Sequence, residues 1–176
     1  MASTEDAVAS FVAAHRRGLV RFGFLLTGDR AAGEDLVQEA LIRCLPAWGR
    51  LDPQGVEAYV RKVMARLAWK ARRHPLNTRS APGHADPAAA DIAEASAELA
   101  DLRQALARLP SRQRVVLVLR YWQDLNDAEI AKLLGCRQGT VKSRASRAYA
   151  QLRQELDWTD DVAIVDNPPA AREDVP

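Results

Sequence analysis

The chain has 176 residues, 48% of them hydrophobic, and a net charge of only +2, which is enough for one mid-sized domain or two small ones and too little for a barrel enzyme. Alanine (32) and leucine (20) dominate the apolar set, whereas Val, Ile and Thr together number 23, so the composition predicts an all-helical (all-α) fold. The longest aliphatic run, Val115 to Leu119, is far short of the roughly 20 residues a bilayer span needs, and no charged-then-apolar N-terminus indicates a signal peptide, so a cytoplasmic chain without membrane insertion is expected.

A first helix is predicted from about Glu5 to Leu26, where Val8, Phe11, Val12, His15, Leu19, Phe22 and Leu26 recur at three- and four-residue steps. Thr27-Gly28 ends it, and Asp29 caps a second helix with apolar Leu36, Val37, Ala40, Leu41, Cys44, Leu45 and Trp48, its last turn kinked at Pro46. A loop through Leu51-Asp52-Pro53 leads to a third helix whose buried stripe is Val56, Tyr59, Val60, Val63, Met64, Leu67 and Ala71. Three helices suffice for a small bundle, spanning residues 5–74.

Residues 75–91 contain three of the nine prolines and almost no large apolar side chain, so they are expected to be a flexible linker. A second unit, residues 92–156, resumes the helical pattern through Leu99, Leu102, Leu106 and Leu109, stops at Pro110 and restarts at Val115 to Trp122. Two more helices, Asp127 to Leu134 and about Gly139 to Leu156, enclose a four-residue turn, and the acidic end 157–176 lacks periodicity and is expected to be disordered.

Charge is segregated along this order. Arg61, Lys62, Arg66, Lys70, Arg72 and Arg73 give residues 61–73 a charge of +6, and residues 103–153 carry +8. Residues 78–101 carry -4 and the end from Glu155 carries -6. Two basic blocks, separated and followed by acidic ones, suggest two polyanion-binding surfaces. An acidic end tethered beside a basic unit could also compete with nucleic acid for it.

The sharpest motif lies in Asn126 to Leu152. Asn126 and Glu129 make a capping-box pattern, Ala131 is small where two helices would cross, Gly135 permits the positive φ that ends a helix, and Val141 would pack the next helix back. With Val141, Ala145, Ala148 and Leu152 inward, these spacings fit a helix-turn-helix. Gln138, Thr140, Lys142, Ser143, Arg144 and Arg147 are then left near the exposed start of the second helix, where they could reach base edges or phosphates in a major groove. The alternative is a plain helical hairpin. On the second predicted helix, Asp35, Gln38 and Glu39 share one face, which is either a solvated surface or a dock for a basic partner helix.

Cys44 and Cys136 stand outside any Cys or Cys/His ligand spacing, His15, His74 and His84 are scattered, and no GxSxG, HExxH, Walker or GxGxxG spacing occurs. Asp35 and Glu39 supply at most two metal ligands, so no cofactor, metal or catalytic residue is expected.

The segments GDRAAGEDLVQEALIRCLPAW, EAYVRKVMARLAWKARR, LARLPSRQRVVLVLRYWQDLNDAEIAKLLG and CRQGTVKSRASRAYAQLR together resemble bacterial RNA polymerase sigma factors of the extracytoplasmic-function (ECF) group, in particular the SigE-like subgroup of actinobacteria, over about residues 8–156. The bias of 21 Arg to 4 Lys also fits a GC-rich genome. The resemblance implies a region 2-type bundle and a region 4-type helix-turn-helix. It implies that Asp35, Gln38 and Glu39 bind the polymerase clamp and that Leu51, Asp52, Pro53, Gln54, Arg61, Lys62, Arg66, Lys70 and Arg73 recognise and open the -10 element. The helix-turn-helix residues would read the -35 element.

Implied partners are core RNA polymerase, through its clamp and flap, and promoter DNA, with room for an anti-sigma factor. Strand opening favours aromatic surfaces that hold extruded bases, which makes Trp69 a candidate, although it replaces a residue that is commonly polar in the family. Tyr59 reads as a core aromatic where relatives often have Trp. Arg137 stands where relatives often place a Ser or Thr cap. A stand-alone helix-turn-helix regulator, which would footprint DNA without polymerase, is the competing reading.

Overall fold

The computed structural model describes residues 4–71 and 97–156, which form seven α-helices and one 3-10 helix. Arg73, the expected linker 75–91 and the acidic end 157–176 lie outside the described residues. Helix α1 spans Thr4–Thr27 and α2 spans Arg30–Cys44. Asp29 caps α2 as expected, its Oδ1 accepting from the Ala32 amide at 2.8 Å. The two helices cross at Gly23 and Gly33 with almost no room between backbones: a Cβ on Gly33 would lie 2.7 Å from the Phe24 nitrogen, and one on Gly23 would lie 2.6 Å from the Gly33 carbonyl oxygen. The crossing therefore depends on the absence of both side chains.

The sequence places Pro46 in a kinked last turn of α2. Instead α2 ends at Cys44 and the chain tightens into a 3-10 helix, Leu45–Arg50, with Pro46 in its first turn, where a missing N–H leaves no partner unsatisfied. This turn moves Leu45, expected in the buried stripe, to the surface at 45% exposure, while Trp48 is buried against the edge of Phe11. Helix α3 spans Val56–Lys70. Val56, Val60 and Met64 are buried as expected, but Ala71 is exposed as the C-terminal cap residue. His15 stacks on Phe11 and approaches Glu57 at 3.2 Å, and Glu57 in turn accepts two bonds from Arg61.

Helices α4 (Ala97–Arg108), α5 (Ser111–Trp122), α6 (Asp127–Leu134) and α7 (Gln138–Glu155) follow. Helix α5 begins four residues before the expected Val115, because the Pro110 carbonyl accepts from the Gln113 and Arg114 amides and so starts the helix at once. The polar side chains of Ser111 to Arg114 hide this start from a reading of apolar periodicity. The turn between α6 and α7 is three residues, Gly135 to Arg137, rather than four.

Every residue from Arg114 to Leu119 is buried, so α5 has no solvent face in its central turns. One side packs on α6 and α7, the other on α1 and α3, which joins the two helical units into one continuous core. Arg114, 2% exposed, sits at that junction. Its guanidinium donates to the Leu26 and Thr27 carbonyls at the end of α1 and to the Leu106, Ala107 and Leu109 carbonyls at the end of α4. Carbonyls left unpaired at a helix C-terminus carry partial negative charge, and two such ends converge here on one cation. Burial lowers the Arg114 guanidinium to about 10, which leaves it charged at neutral pH.

Candidate nucleic-acid interface

The helix-turn-helix forms as its residues predict. Asn126 Oδ1 accepts from the Ala128 and Glu129 amides at 3.0 Å each, and Glu129 Oε2 accepts from the Asn126 amide at 2.8 Å, closing the capping box. Gly135 takes φ 65, and the Cys136 amide bonds back to the Ala131 carbonyl at 3.0 Å. Val141, Ala145, Ala148 and Leu152 are all buried. Behind them Arg120 is paired with Asp127, both nearly buried.

That packing turns Gln138, Lys142, Ser143 and Arg147 into solvent and leaves Thr140 and Arg144 half-buried. Helix α7 has no acid in its first turn, and Lys142 and Arg147 are exposed along it. Arg137 is the N-cap residue and makes no side-chain capping bond.

The second basic surface is arranged differently. In the loop before α3, Asp52, Pro53 and Gln54 are exposed and Leu51 is half-buried, with Asp52 Oδ1 accepting from the Gln54 amide at 3.1 Å. Lys62, Arg66 and Lys70 are exposed along α3, whereas Arg61 is tied to Glu57 and lies over the Phe22 ring. Trp69 is only 8% exposed. Arg112 and Arg144 lie over its ring, 5.3 and 5.2 Å from the centroid, and Arg66 donates to the Leu133 carbonyl of α6 at 3.0 Å.

The third surface is on α2. Asp35, Gln38 and Glu39 are exposed on one face, opposite buried Val37, Ala40 and Cys44. Glu39 is bridged by Arg43 at 2.6 Å. Gln38 also borders a groove of about 240 Å³ between α1 and α2, lined by Val12, Val20, Val37 and Leu41 with Arg16 and Glu34. The same face continues into Ile42 and Leu45, 60% and 45% exposed. The sequence pattern puts Leu45 in the buried stripe and does not single out Ile42, although Ile42 lies seven residues from Asp35 and so on the same side of the helix.

The Sigma-70 region 2 family matches residues 11–74, and the family Sigma-70, region 4 matches residues 99–152. RNA polymerase sigma-E factor of Streptomyces avermitilis is 36% identical to this chain over 155 residues, covering 85% of each. The ECF RNA polymerase sigma factor SigL of Mycobacterium tuberculosis is 32% identical over 154 residues, covering 81% of this chain and 84% of its own. The chain belongs to the ECF sigma factors. A sigma factor from Bartonella quintana, solved in complex with the anti-sigma factor NepR, shares the fold at 22% identity and a TM-score of 0.58, covering 85% of this chain and 96% of its own.

As a sigma factor the protein acts in transcription initiation. The α2 face and α3 fall within the region 2 match, and the helix-turn-helix falls within the region 4 match. Among the described residues no cluster of His, Cys, Asp and Glu could hold a metal ion, and no helix is long and apolar enough to cross a membrane. Sequence reasoning missed Arg112 as a neighbour of Trp69 and Arg114 as the junction between units.

Proposed function

We propose that this sigma factor docks on the clamp of core RNA polymerase through Asp35, Gln38 and Glu39. On this reading residues 5–74 bind core and open the -10 element, with Leu51, Asp52, Pro53, Gln54, Lys62, Arg66, Trp69, Lys70 and Arg73 along the DNA path and Arg61 bracing the helix from its bridge to Glu57. Residues 92–156 read the -35 element through Gln138, Thr140, Lys142, Ser143, Arg144 and Arg147 and contact the polymerase flap, and 75–91 link the two units. The sigma factor contributes recognition and strand separation in the cytoplasm, and catalysis stays with the polymerase. An anti-sigma factor, such as binds the Bartonella relative, is a further partner on this reading.

The observation that carries the proposal is the separation of an exposed acidic face on α2 from exposed basic residues on α3 and α7. A basic partner surface and a polyanion can then be held by one chain at once. Run-off transcription with purified core on genomic fragments tests it. Discrete transcripts that depend on the added chain are expected; the same pattern from core alone would contradict the reading.

A further inference from the structure

One side of α7 carries a stripe of polar and aromatic residues that runs from the start of the helix to the point where the chain leaves it. Lys142, Ser146, Tyr149 and Arg153 follow one another at steps of four, three and four residues, which lines them up along the helix axis. Lys142, Ser146 and Arg153 are exposed and Tyr149 is half-buried. Tyr121 of α5 meets Tyr149 edge to face with ring centroids 6.0 Å apart, and is itself 55% exposed. The one acid of α7, Glu155, is engaged by Arg108 at 3.6 Å and by Gln151. The stripe therefore presents a cation, a small hydroxyl, an aromatic pair and a second cation, with no acid of its own.

The segment that follows α7 in sequence carries the complementary pattern. Residues 157–166 hold four acids and no base. Side chains two apart share a face when a chain is extended, and Asp160, Val162, Ile164 and Asp166 fall at that spacing: an acid, two β-branched apolar residues and an acid. Six residues of extended chain cover about 20 Å, against about 17 Å of helix axis between Arg153 and Lys142, a difference within reach of the two long cationic side chains. The four residues 156–159, the length of one reverse turn, separate the helix from Asp160.

We propose that residues 160–166 lie back along α7 in the free protein, with Val162 and Ile164 on Tyr149 and Tyr121, Asp160 at Arg153 and Asp166 at Lys142. The segment thereby shields the second helix of the helix-turn-helix with its own acids. That shielding of a DNA-reading surface rests on the functional reading given above; the docking does not. A contact this small is weak between separate molecules, but a short tether holds the segment at an effective concentration of about millimolar. DNA phosphates and Asp166 then compete for Lys142, and the neighbouring acids repel the duplex over a Debye length. The apparent DNA affinity of the free chain falls with the fraction in which the stripe is uncovered.

The full chain carrying Val162→Ser with Ile164→Ser tests this, because the pair removes the apolar contact and leaves every charge in place. A nitroxide label on Asn167→Cys, in a Cys136→Ser background where the remaining Cys44 is buried, reports the position of the segment by broadening nearby amide resonances. Broadening should be stronger at Lys142 and Ser146 than at Gln154, although Gln154 is nearer in sequence, and the double variant should lose that order. A labelled non-promoter duplex at low salt should bind the double variant about threefold more tightly at unchanged formal charge.

Broadening no stronger at Lys142 and Ser146 than at Gln154 would overturn the docking and leave the stripe to DNA or polymerase. Ordered broadening with equal duplex affinity in the two proteins would overturn the shielding and leave the docking. A chain that passes both tests but supports no run-off transcription contradicts the functional reading alone.

Discussion

Helices α2 and α3 belong to the same bundle, and each carries a charged face that the sequence displays with equal clarity, yet the fold treats them in opposite ways. The acidic face of α2 looks into solvent beside an apolar groove. The basic face of α3 runs into the second helical unit, which covers Trp69 and takes a bond from Arg66. A helix's own periodicity locates its charged face. Whether that face is available depends on segments distant in sequence.

The strongest way to break the contrast is to disturb the crossing that presents α2. Gly33→Ala should destabilise the fold by about 3 kcal/mol, because its Cβ would meet backbone atoms that have nowhere to go. Urea unfolding checks this; a change under about 1 kcal/mol would mean that α1 and α2 separate easily.

Trp69→Ala gives the next largest effect. As a covered side chain it should cost about 2 kcal/mol or more in the same assay, whereas a solvent-facing stacking residue would cost within about 0.5 kcal/mol. By contrast, Asp35→Ala with Glu39→Ala should leave stability within about 0.5 kcal/mol while sharply weakening core capture in a pull-down. Unchanged capture would remove the assigned interface. The smallest effect concerns α7: Lys142→Ala or Arg147→Ala should each lower the slope of log affinity against log salt by about one, with little change in melting temperature.

Much of the fold is legible in the residues themselves. The stripes of α1 and α3, the Asp29 cap, the Asn126 and Glu129 capping box and the positive φ at Gly135 are local, and local chemistry decides them. What the pattern does not show has two causes, one local and one tertiary. Leu45 looked buried because the helical period was carried through Pro46, where the backbone tightens into a 3-10 turn. The burial of Trp69 is not visible in its sequence neighbours, because its cover comes from Arg112 and Arg144.

Arg114 belongs to a basic block and reads as one more surface cation, although it precedes Val118 by four residues and so shares its buried side. The run Val115 to Leu119 held the same signal: five aliphatic residues in a row on a helix leave no polar face, which means that the helix is packed from two directions. Which two elements pack on it is not encoded in the run.

The central claim is that this chain engages core polymerase through the acidic face of α2 and promoter DNA through α3 and α7, and reads the promoter only as a subunit of the polymerase. Anisotropy of a labelled promoter fragment, taken from those that support run-off transcription, measures this most directly when the sigma factor is titrated alone and then with core at fixed salt. The account predicts no preference for the promoter over a scrambled duplex with the free chain and a clear preference once core is added. Equal preference for the promoter with and without core would contradict it.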